Sequence, residues 1–161
     1  MDVDGILRAK GATVVTIRPD ATIRELVQSL RDERIGAIVV SEDGRSVQGI
    51  ISERDVVRGL AELGPRVLDA PVAELMTREV VACSLRDTVK HLMTEMTRRR
   101  IRHLPVVEDG VLRGIVSIGD VVKNRLDEVE MEANVLRDAY MRPAERASKS
   151  IDAEAEGIYL G

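Results

Sequence analysis

The chain has 161 residues, about 44% of them apolar, but only two tyrosines and no Phe or Trp, so any core must be built from aliphatic side chains. The net charge of −4 argues against nonspecific nucleic-acid binding, which depends on an excess of Lys and Arg. The single cysteine excludes an intrachain disulfide, no apolar run approaches the ~20 residues of a membrane span, and the start MDVDGILRAK lacks a signal-peptide core. We therefore expect a cytoplasmic protein that does not cross a membrane.

Hydrophobic spacing and turn residues predict the same order of elements in two halves of the chain. The elements of the first half are a short helix (Val3–Lys10), a strand (Val14–Ile17), a helix that begins after Thr22, strands at Ala37–Val40 and Val47–Ile51, and a helix through Val56 and Leu63. Thr22 and Glu25 have the spacing of a capping box, and Asp43-Gly44 is a turn signal between two strands.

The second half repeats this order after a link, Gly64–Pro71, that contains two prolines. Its elements are a short helix (Val72–Thr77), a strand (Val80–Cys83), a helix through Val89, Leu92 and Met96, strands at Leu104–Val107 and Leu112–Val116, and a helix from about Ile118.

One motif, Gly-x-x-Ser-x-x-Asp, occurs once in each half. GIISERD spans Gly49 to Asp55, and GIVSIGD spans Gly114 to Asp120. An internal repeat of this kind predicts two similar folding units, residues 1–66 and 67–126. Each three-stranded sheet with helices on one face is too small to bury its other surface alone. We therefore expect an α/β fold in which the halves pack sheet to sheet around a pseudo-twofold axis, with a cleft beside each motif.

From about Val3 to Leu126 the chain resembles a tandem pair of CBS (cystathionine-β-synthase-type) domains, and in particular small bacterial proteins that consist of one such pair. The two motif copies carry the resemblance, together with the strands Ala37–Val40 and Leu104–Val107 and the acidic-Gly turns after them. The resemblance implies a regulatory protein rather than an enzyme. It implies binding of an adenosine-containing nucleotide (AMP, ADP, ATP, NAD or S-adenosylmethionine) as a regulatory ligand, no required cofactor, and action in trans on an unidentified protein partner.

The same resemblance implies that Asp55 and Asp120 hold ribose hydroxyls and that Ser52 and Ser117 help to hold phosphate. The chemistry agrees, because a carboxylate accepts two hydrogen bonds from a ribose diol and a helix N-terminus attracts anions. The adenine is expected between aliphatic walls, Ile17, Ile35 and Ile51 in one cleft and Cys83, Ile101 and Val116 in the other. The remaining residues expected at these sites are Thr16, Gly36, Ala37, Arg54, Arg102, His103 and Gly119.

Several of these residues have alternative interpretations. Ser-x-x-Asp at the start of a helix is also a capping box, so Asp55 and Asp120 can act only as caps. The run Arg98–Arg100 can offset the negative end of its helix. Arg102 and His103 are the best placed of the basic cluster for phosphate, so the cleft lined by the second copy is expected to suit polyphosphates better.

The sequence contains no motif for metal binding or for catalysis. Two distant histidines and one cysteine make no metal signature, and Cys83 is expected to be a small buried apolar residue. There is no Walker loop, dinucleotide fingerprint or hydrolase elbow, and no nucleophile beside a base. We therefore expect no metal and no catalysis.

Residues 127–161 extend beyond the usual repeat. Apolar residues continue at spacings of three and four at Val122, Leu126, Val129, Ala133, Leu136 and Tyr140. They predict a helix to about Met141, ended by Arg142-Pro143 and followed by a mobile polar tail in which residues 158–160 dock. We expect a homodimer in which this helix takes part or recruits a partner; the alternative is that it folds back on its own domain. The sequence leaves two alternative functions open. The first is a dimeric interaction module that binds no ligand. The second is nucleic-acid binding through the arginine cluster.

Overall fold

The computed structural model describes the backbone of residues 1–157 and the side chains of residues 1–141. In chain order the elements are α1 (Val3–Lys10), β1 (Thr16–Ile17), α2 (Ile23–Glu33), β2 (Ala37–Val40), β3 (Gly49–Ser52), α3 (Glu53–Leu63), a 3-10 helix (Gly64–Asp69), α4 (Val72–Leu75), α5 (Val89–Arg99), β4 (His103–Glu108), β5 (Val111–Ser117) and α6 (Ile118–Gly157). Residues up to Val121 form one compact unit, and those from Val122 form a second. The mixed α/β architecture with two small sheets is confirmed.

The two sheets differ in size. In the first, β1 lies parallel to β2, and β2 pairs antiparallel with β3. In the second, β4 pairs antiparallel with β5. The strand predicted at Val80–Cys83 is wrong in extent, because only Cys83 forms a bridge, to Val106. The Val80 N–H bonds to the Arg78 carbonyl and the Ser84 N–H bonds to the Asp87 carboxylate, so the chain turns on either side of Cys83.

Each half has its own aliphatic core. Residues of the first core are Ile23, Leu26, Leu30, Ile38, Val40, Ile51, Val67 and Val72. Residues of the second are Val3, Ile6, Leu7, Cys83, Val89, Leu92, Met96, Leu104, Val106, Val116 and Val121.

The short helices that precede the two halves are exchanged. The apolar face of α1, with Val3, Ile6 and Leu7, lies in the core of the second half. Val72 of α4 lies in the core of the first half, and its N–H donates to the Ala21 carbonyl at 2.8 Å. Each half therefore depends on a helix that lies at the start of the other half in sequence.

The exchange of the two short helices explains why the repeated motif begins with glycine. A Cβ atom on Gly49 would lie 2.7 Å from Met76 Sδ and 2.9 Å from the Thr77 carbonyl oxygen. A Cβ atom on Gly114 would lie 2.7 Å from Leu7 Cδ2. Such distances are too short for a carbon contact, so only glycine lets the exchanged segments approach β3 and β5 this closely.

Helix α6 continues past its expected end at Met141, through Pro143, to Gly157. The prediction that Arg142-Pro143 ends the helix is wrong, whereas the mobility predicted for the residues after it stays a prediction. A proline removes one backbone hydrogen bond, whereas the sequence after Pro143 is rich in Ala and Glu, which favour helix. The predicted docking of residues 158–160 lies outside the described residues. Helix α6 is long enough to span a bilayer, but neither it nor any other helix in the described part of the chain has the apolar composition to do so.

Candidate functional site

Each copy of the repeated motif joins a strand to a helix, at Ser52 between β3 and α3 and at Ser117 between β5 and α6. Asp55 Oδ2 accepts hydrogen bonds from the Ser52 N–H (2.9 Å) and the Ser52 hydroxyl (3.1 Å). Asp120 Oδ2 accepts one from the Ser117 N–H (2.9 Å), and the Asp120 N–H donates to Ser117 Oγ (3.2 Å). Both aspartates therefore cap their helices, and any ligand must bind a carboxylate that is already held in place.

A cleft of about 540 Å³ lies beside Asp55 and is lined by both halves of the chain. The first half contributes Gly36, Ala37, Ile50, Ser52, Glu53, Arg54, Asp55 and Arg58, and the second contributes Thr77, Glu79, Val80, Val81, Arg99, Arg100, Ile101, Arg102 and His103. The predicted site residues that meet here are Gly36, Ala37, Ser52, Arg54, Asp55, Ile101, Arg102 and His103. These residues were expected in two separate clefts, whereas Arg102 and His103 of the second copy line the same cleft as Asp55 of the first.

The cleft carries an excess of positive charge. Arg99 is paired with Glu95, which also binds Arg98, and these arginines lower the pKa of Glu95. The other lining arginines, which have no carboxylate within salt-bridge distance among the described residues, are Arg54, Arg58, Arg100 and Arg102. Their guanidinium groups can donate to the oxygens of a phosphate chain.

His103 lines the cleft from the second half. A Cβ atom on Gly36 would lie 3.5 Å from His103 Cε1, so the ring packs against the backbone just before β2 of the first half. Burial lowers the pKa of His103; Glu53 and Asp120 oppose this, and Lys10 and Arg102 reinforce it. The ring is therefore neutral at pH 7, and its ring nitrogens can act as hydrogen-bond partners for a ligand without adding charge.

The aliphatic walls differ from those expected. Ile51, Val116 and Cys83 are buried in the cores, and burial raises the pKa of the Cys83 thiol to about 12. Ile17 and Ile35 pack against the first core, and Thr16 lies in β1 beside Val39. Strand alternation explains the difference, because neighbouring residues face opposite sides: Ile51 faces the core and Ile50 faces the cleft. Ile50, Val80, Val81 and Ile101 supply the aliphatic lining.

The second motif has different surroundings. Lys10 Nζ, at the end of α1, lies 2.6 Å from Asp120 Oδ2 in a pair that is only partly exposed. Burial raises the pKa of Asp120, but the hydrogen bond and charge of Lys10 and the Ser117 N–H outweigh it, so that the net shift is downward. Ser117 and Gly119 lie beside this pair. At Asp120, Lys10 therefore competes with a ribose for the Oδ2 atom.

Several residues that line the cleft were not predicted from the sequence. Arg58 lies three residues after Asp55 on α3, one turn away on the same face, so helical spacing could have found it. Thr77 is brought to the cleft by its bridge to Ile50, and Glu79 follows it. Nothing local in the sequence indicates that contact, because it depends on the exchange of α4.

Comparison with known proteins places this geometry in a family. The family model of the CBS domain matches residues 12–62 and 72–127. The CBS domain-containing protein YhcV of Bacillus subtilis is 32% identical over 113 residues, which are 70% of this chain and 79% of the relative.

Two solved structures show the same fold. The crystal structure of the CBS-domain containing protein ATU1752 from Agrobacterium tumefaciens has a TM-score of 0.75 and 46% identity, and the match covers 78% of this chain and 99% of that one. The CBS domain pair of protein MJ0100, in complex with 5′-methylthioadenosine and S-adenosyl-L-methionine, has a TM-score of 0.70 and 25% identity, covering 80% and 98%.

Proposed function

The chain belongs to the CBS-domain family and carries two CBS repeats, and we propose that it is a regulatory protein that binds an adenosine-containing nucleotide in the cleft beside Asp55. CBS pairs are regulatory modules, and that of MJ0100 binds two adenosine compounds. In this proposal the nucleotide is a regulatory ligand, no cofactor is required, and the chain catalyses no reaction.

The observation that carries the proposal is the state of Asp55. Its Oδ2 atom is held by Ser52, and its Oδ1 atom accepts no hydrogen bond from a described residue. No Lys or Arg of the described residues lies within salt-bridge distance of it. A fixed, partly buried carboxylate with free acceptor positions fits the two hydroxyls of a ribose.

The charge of the cleft favours a phosphorylated ligand. Arg102 and Arg100 come from the second half and Arg58 from the first, so a phosphate chain can be contacted from two sides. We infer that ADP or ATP binds more tightly than S-adenosylmethionine, whose sulfonium centre is positive and meets the same arginines.

The Asp120 side is proposed to bind weakly or not at all. The Lys10–Asp120 pair must open before a ribose can take both acceptor positions of that carboxylate. Partly exposed ion pairs contribute about 1 kcal/mol, which corresponds to roughly a fivefold loss of affinity.

Regulation requires that the ligand bind one conformation better than another. Because the Asp55 cleft is lined by both halves, a nucleotide there bridges the two repeats and favours the conformation in which they lie closest. We propose that a cytoplasmic homodimer passes this change to a separate protein partner.

The rival proposal is an interaction module that binds no ligand. It is favoured by the capping bonds of Asp55 and Asp120, which give both aspartates a role without a nucleotide, and by the exposed apolar residues of α6. The two proposals differ in a single property, the binding of a nucleotide at Asp55.

Thermal unfolding with AMP, ADP, ATP, NAD, S-adenosylmethionine and GTP tests this property. A ligand at 100 times its dissociation constant stabilises by about 2.7 kcal/mol, a shift of several degrees. We expect the shift to be lost in Asp55→Ala and retained in Asp120→Ala, a matched control that removes the same kind of cap. The compared quantity is the ligand-induced shift, since both variants lower the melting temperature themselves. No shift with any ligand in the folded wild type would support the rival proposal.

A further inference from the structure

Helix α6 exposes an apolar seam with heptad spacing. The seam residues are Val122, Leu126, Val129, Ala133, Leu136 and Tyr140, separated by alternating steps of four and three. All are exposed; the exposed fraction is 46% for Val122, 61% for Leu136 and 84% for Tyr140. Steps of 4-3-4-3-4 place residues at the a and d positions of a coiled coil, and such a seam is buried against another helix.

The seam has defined ends. Assigning Leu126, Ala133 and Tyr140 to a makes Val122, Val129 and Leu136 the d residues. In the sequence, the next such positions are Pro143, Ala147 and Ser150, which do not continue the apolar pattern. The other exposed large apolar residues of α6 up to residue 141 are Ile118, Met131, Val135 and Met141, and they do not form a second heptad stripe. Up to residue 141 the helix therefore offers one heptad-spaced contact face of six layers.

Charged residues flank this seam in a pattern that selects a partner. The e positions are Lys123, Glu130 and Arg137, and the g positions are Arg125, Glu132 and Ala139. In a parallel pair of helices, a g residue faces the e residue five positions later on the other helix. A second copy in register then pairs Arg125 with Glu130 and Glu132 with Arg137, and each pair occurs twice.

An antiparallel arrangement of the two helices brings like charges together. With full overlap, e residues face e residues and g residues face g residues. Glu130 then meets its own copy, Glu132 meets its own copy, and Lys123 meets Arg137, so every charged contact is between like charges. Within one helix, Arg125 also bonds Glu128 at 3.1 Å, but half of its side chain stays exposed. The charges thus favour a second copy of this chain in parallel orientation.

We propose that residues 122–140 form a parallel two-stranded coiled coil with the same segment of a second copy. The occupant is a second copy because the flanking charges complement themselves in parallel register and repel in antiparallel register. This interface is independent of nucleotide binding, and it brings the two α6 helices, each continuous with the second motif, side by side. Three heptads form a weak coiled coil alone, so we expect it to add to other contacts of the dimer.

Disulfide trapping in the full chain tests the orientation. A parallel coiled coil places residue 129 of both copies in one d layer, within the Cα separation that a disulfide allows. Val129→Cys is therefore expected to give a disulfide-linked dimer as the main species under mild oxidation. Asp138→Cys, on the outer face of the same helix, is the matched control and is expected to stay monomeric on non-reducing gels. Native Cys83 is buried with a thiol pKa of about 12, so it contributes little background.

Disulfide trapping in a mixture of two cysteine variants distinguishes the parallel from the antiparallel arrangement of the two helices. Val129→Cys mixed with Ala133→Cys should give few mixed dimers in the parallel arrangement and many in a full-overlap antiparallel one. Absence of a Val129→Cys dimer, equal trapping of Asp138→Cys, or a majority of mixed dimers would each overturn the proposal.

The role of the flanking charges is tested by charge-reversing substitutions in the Val129→Cys variant. Glu130→Lys with Glu132→Lys should reduce trapping at residue 129 at least severalfold, and Arg125→Glu with Arg137→Glu should do the same. A mixture of the two charge variants should restore it as a heterodimer, because the pairs become complementary again. Unchanged trapping in either charge variant would show that these charges do not select the partner.

Discussion

The two copies of Gly-x-x-Ser-x-x-Asp share a backbone and differ in what faces the aspartate. In both, a strand ends at serine, aspartate caps the helix, and glycine admits an exchanged segment. Beside Asp55 the described residues form an open, arginine-lined cleft; beside Asp120, Lys10 is bound to the carboxylate. The motif therefore specifies the local fold, whereas the segment that arrives from elsewhere in the chain decides whether the carboxylate is available.

The source of the difference is the exchanged segment itself. Val3 begins α1 and Val72 begins α4, and seven residues after each lie Lys10 and Glu79. Lys10 pairs with Asp120, while Glu79 lines the Asp55 cleft and, as an acid, cannot pair with that carboxylate. The two aspartates therefore differ in the charge that the exchanged segment brings near them, a bound ammonium at Asp120 and an acid in the cleft beside Asp55.

Of the substitutions that follow, removal of Arg102 is expected to have the largest effect on nucleotide binding in the Asp55 cleft. The corresponding residue of the first copy is Gly36, so Arg102 is a feature of this cleft alone. Arg102→Ala should weaken ATP binding about tenfold, or about 1.4 kcal/mol, because one charge-assisted contact to phosphate is lost. Adenosine binding, measured by the same titration, should change less than twofold.

Arg113→Ala is the matched control, because Arg113 is an exposed arginine of β5 that does not line the cleft. Equal losses for ATP and adenosine in Arg102→Ala would mean that Arg102 supports the fold of the cleft rather than the phosphates.

How far the sequence predicts this site depends on the range of the interactions. The caps at Thr22 and Ser52 and the two repeats depend on neighbouring residues, and they were predicted. The Lys10–Asp120 pair joins residues 110 positions apart and depends on the exchange of α1, which no local pattern indicates. The prediction that Ile51, rather than Ile50, lines the cleft was wrong for a local reason. The motif indicates where the strand lies, but it does not indicate which face of the strand packs against the core.

Removing Lys10 should open the second site. In Lys10→Met, Asp120 loses its bound ammonium, so a second ribose can bind about fivefold more tightly than in the wild type. The measurement is the number of adenosine molecules bound per chain near saturation, and adenosine is used because it is unaffected by lost phosphate contacts. Lys90→Met, on exposed α5, is the control and should leave the number unchanged. A Lys10→Met variant with wild-type stoichiometry would show that the pair is not what closes this site.

The smallest expected effect is on stability as pH falls. The pKa of Asp120 in the folded chain lies below its ordinary value of 3.8, so the ionised form stabilises the fold above that value, and the contribution is lost as pH falls through the folded pKa. Asp120→Asn should therefore destabilise by up to about 1 kcal/mol at pH 7 and by less near pH 2, because the wild-type carboxylate becomes protonated as the pH falls. Urea unfolding at the two pH values measures this difference.

Asp69→Asn serves as the reference in that experiment, since Asp69 is largely exposed and its contact with Arg24 is long, at 3.5 Å. A destabilisation by Asp120→Asn that is equal at both pH values would mean that the cap geometry, and not the charge paired with Lys10, stabilises the helix.

We propose that the two clefts are unequal and that the nucleotide binds at Asp55. Calorimetric titration of the wild type, Asp55→Asn and Asp120→Asn with the nucleotide that gives the largest thermal shift tests it most directly. We predict one tight site per chain, lost in Asp55→Asn and unchanged within twofold in Asp120→Asn. Two equal sites in the wild type, or loss of the tight site in Asp120→Asn alone, would show that Asp55 is not the residue that binds the nucleotide.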